Sequence, residues 1–385
     1  MAGHGNVSFD DADPAKRIED LINENVILRA DLAERTEIMD VLAKSVNMIH
    51  GVQQIGTVPP EEVRQLYAEI GASIEAFLQP MFKAFDENTQ HKDGITASLN
   101  QPKAFGYFRQ LISYDSEFRA AASNPYTELK DIWTAYIWRH LYERVFKEGA
   151  AASFYAGGNQ NPAQYMRHVD QIVDIMKLAD PPVFKEYVRR LWRRQALAAM
   201  FRTAELDWVQ QSRQNGIQQT SLEIQRAFTE FASLIPGPLR TQLVESIVTA
   251  AVRLNEHIMI EADDVWEIKI HGLIDEKAGG FFANARDFAL TGCGTRWAKM
   301  ARTPVETIAD RTSAQDLRGL MRPLCALAPA LRFRHMDREA EGYQDSVDLV
   351  KPRVLVFLRH SAPAHVPVSE PVNLIFPLMA RMNVG

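Results

Sequence analysis

Little in this sequence announces a chemistry. Its 385 residues include two cysteines, Cys293 and Cys325, too few for a disulfide framework. No apolar run reaches the roughly 18 residues of a membrane-spanning helix, so no membrane association is expected. The formal charge is only −6. That gives neither the cationic coat of a general nucleic-acid binder nor attraction to an anionic membrane. There is no Walker loop, no Gly-x-Gly-x-x-Gly after a strand, no Gly-x-Ser-x-Gly elbow and no repeat of fixed period. No cofactor or metal is expected, and the balance leans away from an enzyme. The sparse cysteines suit a reducing, intracellular compartment, cytoplasmic or nuclear.

What is present is a globular composition, 46% hydrophobic and 24% charged, on a chain long enough for two domains. The stretch Asn124–Gly149 organises it. Leu129, Ile132, Trp133, Tyr136, Ile137, Leu141, Val145 and Phe146 recur at three- and four-residue steps, and Trp138 and Tyr142 widen the stripe. A helix apolar around most of its circumference belongs in a core or an interface. Asn124 followed by Pro125 reads as its cap and first position, and Gly149 as its left-handed stop.

The N-terminus, residues 1–13, is polar and acidic and reads as disordered. Residues 14–50 read as a coiled-coil helix. Ile18, Asn25, Leu32, Met39 and Val46 fall at a positions; Leu21, Leu28, Arg35, Leu42 and Ile49 fall at d. Asn25 at a specifies a parallel two-stranded register, because its amide is satisfied only opposite its twin. Glu24 at g then faces Arg29 at the partner's e position. The run from Leu21 to Leu32 resembles the zipper segment of basic leucine-zipper factors, a resemblance spanning about five heptads. It implies a homodimer. The basic region of that family has no counterpart, since Lys16 and Arg17 stand among Asp10, Asp11 and Asp13. The alternative is a helix folded back on its own domain through Ile22, Val26, Ile27, Ile38 and Val41.

Residues 58–262 read as a helical domain. Pro60-Glu61-Glu62 opens a helix with buried Val63, Leu66, Ile70, Ile74 and Phe77, kinked or ended by Pro80. Short helices are expected over 102–112 and 114–122. Asn161-Pro162 opens another helix, and Phe154-Tyr155 tucks into the core. A long helix follows Pro182 and stops near Asn215-Gly216. Others cover 220–234 and 239–260. Residues 263–385 read as a C-terminal segment with a few strands. Val265–His271 alternates like a half-buried strand, and Lys351–His360 is a second. Short helices are expected over 282–290 and 313–321.

Five candidate sites emerge. Arg189, Arg190, Arg193 and Arg194 share a helix side, suited to an anionic partner or nucleic acid, or to a solvated face. Asp263-Asp264-Val265-Trp266-Glu267 resembles the metal string of class I terpene synthases, which implies magnesium and a prenyl diphosphate; a turn into a strand competes with it. Thr291-Gly292-Cys293-Gly294 could present a thiol if His271 or His335 came near, or bury a small residue. His168 with Asp170, and His257 with Glu261, give metal-ligand pairs without a zinc motif around them.

The expected fold is therefore mainly α, with an N-terminal coiled-coil helix, a multi-helix domain around one buried helix, and a small C-terminal α+β segment. The leading function is a non-catalytic interaction or scaffold protein that homodimerises and binds a protein partner. The runner-up is a nucleic-acid-associated regulator using the arginine-rich helix. A magnesium-dependent terpene-synthase-like enzyme stands third.

Overall fold

The computed structural model describes residues 21–29, 59–87, 116–124, 127–147, 149–156, 162–178, 186–202, 207–229, 234–260, 264–270, 280–283, 285–294, 305–337 and 342–358. They form a mostly helical protein with a small sheet region near the C-terminus. The chain divides into two compact units, Met1–Ile55 and Gly56–Gly385. In the first, residues 21–29 form helix α1.

The second unit begins with α2 (Pro60–Glu87), whose first turn carries Glu61 and Glu62 against the positive helix end. Pro80 does not end it. Val63, Ile70, Ile74, Phe77, Leu78 and Met81 give α2 a fully buried stripe. After α3 (Ser116–Ala122) comes the expected buried helix, α4 (Leu129–Leu141). Ten of its thirteen residues are buried, so water reaches only a narrow face. Its start differs from expectation: Glu128 is the N-cap, with no side-chain cap bond. Asn124 instead closes α3, its N–H bonding Ala121 O at 3.2 Å, and Pro125 lies outside the described residues. A π-helical turn, Tyr142–Phe146, extends α4, and Gly149 takes φ +79° as its sequence position demands.

The remaining helices are α5 (Ala150–Phe154), α6 (Pro162–Leu178), α7 (Glu186–Arg202), α8 (Asp207–Ala227) and α9 (Gly237–Ile260). Helix α2 packs on α9 and α4, and α9 packs on α8 and α7. Phe154 and Tyr155 are buried as expected. The long helix after Pro182 proves to be two, and α8 runs straight through Asn215 and Gly216. Gly216 is there for space. A Cβ on it would sit 2.6 Å from Phe154 Cε1 and 2.7 Å from Phe154 O.

That contact reverses an ordinary helix rule. Alanine for glycine inside a helix normally gains about 1 kcal/mol. Gly216→Ala should instead lose about 1–3 kcal/mol, because a backbone carbonyl must move. Gly71→Ala in α2, where a Cβ meets nothing within 4 Å, should gain about 0.5–1 kcal/mol. Chemical unfolding of the two variants should show opposite signs; a gain at Gly216 would refute the close approach.

The sheet region is built on a long ribbon. Strand β1 (Asp264–Lys269) follows α9. Then come α10 (Gly280–Ala283), a 3-10 turn (Ala285–Asp287), β2 (Ala289–Gly294), α11 (Val305–Arg311) and α12 (Ala314–Leu320). The 282–290 stretch thus turns to strand at Ala289 instead of finishing as helix, whereas Ser313 caps α12 as its sequence suggests. Strands β3 (Met321–Ala328), β4 (Ala330–Asp337), β5 (Gly342–Tyr343), β6 (Val347–Val350) and β7 (Arg353–Leu358) complete the region. Of these, β1 and β7 match expected strands; β2 to β6 were not expected.

Strands β3–β4 and β6–β7 are the two arms of one antiparallel ribbon. The pairs Ala328↔Arg353 and Leu331↔Val350 place Pro329 opposite Pro352. Proline has no N–H to give a ladder, so the ribbon divides there into two sheets. Both orphan carbonyls find other donors. The Tyr67 hydroxyl donates to Pro329 O at 2.6 Å, and the Ala289 N–H donates to Pro352 O at 3.0 Å. One half of the ribbon takes β1 beside β4, where Trp266 stacks on its cross-strand partner Phe333. The other half takes β2 parallel to β7. A second core of Phe281, Leu290, Leu317, Met321, Val354 and Val356 fills this end. Strand β3 packs on α3 and α4, tying the ribbon to the buried helix.

Candidate interaction surface and polar clusters

Helix α1 carries the first candidate surface. Leu21, Ile22, Val26, Ile27 and Leu28 are all exposed, between 57% and 68%, and Asn25 is exposed among them. The other seam positions, Ile18, Leu32, Met39, Leu42 and Val46, lie outside the described residues.

The arginine run does not form a uniformly solvated face. Arg194 is only 4% exposed, whereas Val188 is exposed. Arg193 donates to Asp170 of α6 at 2.7 Å and to Met259 O of α9 at 3.4 Å. Arg189 and Arg190 are half-buried. The buried side of α7 is set by Ala196, Leu197, Ala198, Met200 and Phe201, which turns Arg194 inward with them.

The structure also assembles three polar groupings that spacing along the chain does not reveal. In the first, His140 of α4 lies 3.2 Å from Glu223 of α8, and Arg144 donates to the same carboxylate at 2.7 Å. Burial pushes the Glu223 carboxyl up, but His140 and the Arg144 guanidinium outweigh it and hold it below the usual range. Glu223 also lines a cavity of about 320 Å³ with Asn215, Gln218, Gln219, Leu222 and Arg226. A histidine beside a carboxylate can serve as a base when it reaches a hydroxyl or thiol. Neither is among the described residues lining the cavity, and His140 itself does not line it.

In the second grouping, Arg213 of α8 donates twice to Glu256 of α9, at 2.7 and 3.0 Å, and the buried Tyr155 hydroxyl donates to the same carboxylate. Burial and the adjoining Glu256 charge keep the Tyr155 phenol protonated far into the alkaline range. This triad binds α5, α8 and α9 together. The third lies where α3 and the last turn of α4 meet β3. Glu117 of α3 is buried, 3.7 Å from Arg139, and accepts the Ala326 N–H of β3 at 3.3 Å. That N–H borders a register shift in β3, so Glu117 satisfies a donor the ladder leaves over. At the other end of α4, Lys130 pairs with Glu75 of α2.

The remaining candidates lie apart. Cys293 is buried in β2, and burial pushes its thiol up to about 12, the state of a packing residue and not of a nucleophile. Cys325 is buried in β3 and pushed up further by the same cause. His271 lies outside the described residues. Asp264 and Glu267 belong to β1, where a three-residue step sends them to opposite faces; Asp263 is outside the described residues. Asp170 is held by Arg193. Among the described residues no three His, Cys, Asp or Glu side chains converge as metal ligands, and no helix is long and apolar enough to cross a membrane.

Compared with known protein families, curated proteins and solved structures, the chain matches none.

Proposed function

We propose that this chain is a non-catalytic interaction or scaffold protein that homodimerises through its N-terminal coiled-coil helix. The observation carrying the proposal is the exposure of five large apolar side chains on the nine residues of α1. Large apolar side chains so exposed call for a partner, and of the five Leu21 and Leu28 lie on the a/d seam. A second copy fits it: Asn25 at the a position needs its twin, and Glu24 and Arg29 attract across a parallel pair. Ile18, Leu21, Leu28, Leu32, Met39, Leu42 and Val46 then complete the seam, and a protein partner would bind the resulting dimer.

The nucleic-acid reading has less support. A guanidinium as enclosed as that of Arg194 cannot reach a phosphate, and Arg193 is already committed to Asp170 and Met259 O. The magnesium-dependent reading lacks the single helix face its carboxylates require.

The solution mass of the full chain, compared with a chain starting at Pro59, tests the proposal. The full chain should measure twice its monomer mass and the shortened chain once. A full chain that stays monomeric at high micromolar concentration would remove the dimer.

A further inference from the structure

Helix α8 buries one side and turns a second, polar side outward. The six described residues lining the 320 Å³ cavity all belong to that second side: Asn215, Gln218, Gln219, Leu222, Glu223 and Arg226. Their steps of three and four residues put them on successive turns of one helix face. The cavity therefore follows the helix axis. From Gln218 to Arg226 the row rises about 12 Å, at 1.5 Å per residue. An extended chain, at about 3.3 Å per residue, covers that length with about four residues. An ordinary solvated face is convex, whereas this one walls a concavity of the size that holds small ligands.

The polar groups on the wall differ in how far they are engaged. Arg144 donates to Glu223 Oε1 at 2.7 Å, and His140, only 8% exposed, stands 3.2 Å from Oε2. The Glu223 charge is thus answered from behind the wall. No hydrogen bond or ion pair to a described residue engages the side chains of Asn215, Gln218, Gln219 and Arg226. Two guanidinium groups, Arg144 and Arg226, against one carboxylate leave the wall positive. Each primary amide offers both a donor and an acceptor, the same pair that a peptide group presents. A guanidinium takes a carboxylate in a two-bond fork. Leu222, 54% exposed in the same row, adds one apolar contact.

We propose that this cavity binds an extended peptide segment of a protein partner through its backbone and one carboxylate. The amides of Asn215, Gln218 and Gln219 pair with peptide groups. Arg226 takes an aspartate, glutamate or C-terminal carboxylate about three residues beyond the group held by Gln219. This names the chemistry of the partner in the interaction reading. The cavity lies wholly on α8 of the second unit, so it does not depend on the dimer.

Ligand-observed NMR titration of the full chain tests this with a capped peptide of three alanines ending in aspartate. The same peptide ending in asparagine is the comparison. The aspartate peptide should saturate, with a dissociation constant on the order of a millimolar for so short a probe. The asparagine peptide should bind about tenfold more weakly, having lost one charge-assisted pair. Arg226→Gln should bring both peptides to that weaker level. Gln218→Ala with Gln219→Ala should weaken both alike and keep the preference for aspartate. All three positions are exposed, so the unfolding midpoint should stay in place. Equal binding of the two peptides, a preference that survives Arg226→Gln, or no saturation well above a millimolar would overturn the proposal. So would acetate that displaces the peptide as well as excess peptide does, since the amides would then read no backbone. Solution mass reads the dimer separately, so either can fail while the other stands.

Discussion

Trp133→Ala should destabilise the second unit by about 3–5 kcal/mol, the range for removing a large aromatic from a packed core. The indole is 0% exposed. Its ring centroid lies 4.2 Å from Phe228 and 5.6 Å from Tyr136, and Phe77 packs edge-on against the same Phe228. Truncation therefore opens a hole among rings belonging to α2, α4 and the end of α8. Rings of that size cannot rotate to fill it without leaving their own contacts, so the cavity persists and adds to the lost transfer energy. With folding free energies commonly about 5–15 kcal/mol, such a loss should move the chemical unfolding midpoint far down. Trp133→Phe keeps a ring against Phe228 and should cost less. A midpoint that barely shifts for Trp133→Ala would mean that α4 is not the centre of the core.

The importance of α4 was legible because its apolar residues recur densely, and such a pattern has one cheap solution, burial. Its starting point was misread. Asn124-Pro125 has the chemistry of a cap, but the chain uses Asn124 to close α3 and begins α4 at Leu129 without a side-chain cap. Burial of the helix removes the need for a strong local start signal. The ribbon was illegible for the opposite reason. Strands β3 and β4 contain no valine, isoleucine or threonine, and prolines stand at 323 and 329. Most local preferences there, Phe333 aside, give a strand little support. Pairing with β7 and β1, packing on α3 and α4, and the Glu117 bond to Ala326 override those preferences. Strand β7, with Val354, Val356 and Phe357, was legible because its composition agrees with its pairing.

Gly216 was read as a helix stop, since glycine usually marks one. Its actual reason is Phe154, a neighbour only after folding. The polar groupings share that difficulty. Arg144 and Glu223 are 79 residues apart, and Tyr155 and Glu256 are 101 apart. No spacing rule links such pairs, because only the packing of α5 and α8 against their neighbours brings them together. Conversely, the arginine run was conspicuous as a run, yet the fold splits it. Arg194 turns inward with Leu197 and Ala198, and Arg193 joins Asp170. Adjacency in sequence is a weak guide to shared function on a helix whose buried side is set elsewhere.

Replacing both Leu21 and Leu28 with aspartate should raise the dimer dissociation constant by about a thousandfold. Each side chain is more than half exposed in α1, at 57% and 59%, so covering it in a seam should gain roughly 1 kcal/mol. A dimer contains four such leucines, and about 4 kcal/mol corresponds to nearly three powers of ten in affinity. Like charges brought together in the seam add to the loss. The chemical unfolding midpoint of the second unit should not move, which separates lost association from lost folding. Asn25→Val should act in the other direction: it should strengthen association while admitting trimers, because the amide no longer penalises them. Glu24→Arg should weaken a parallel pair by facing Arg29 of the partner subunit, and adding Arg29→Glu should restore it. Sedimentation equilibrium of the full chain reads all four proteins. If Leu21→Asp with Leu28→Asp leaves the mass unchanged, the seam does not run through α1. If Glu24→Arg weakens association but Arg29→Glu fails to restore it, the two helices are not parallel and in register, and the role given to Asn25 falls with that arrangement.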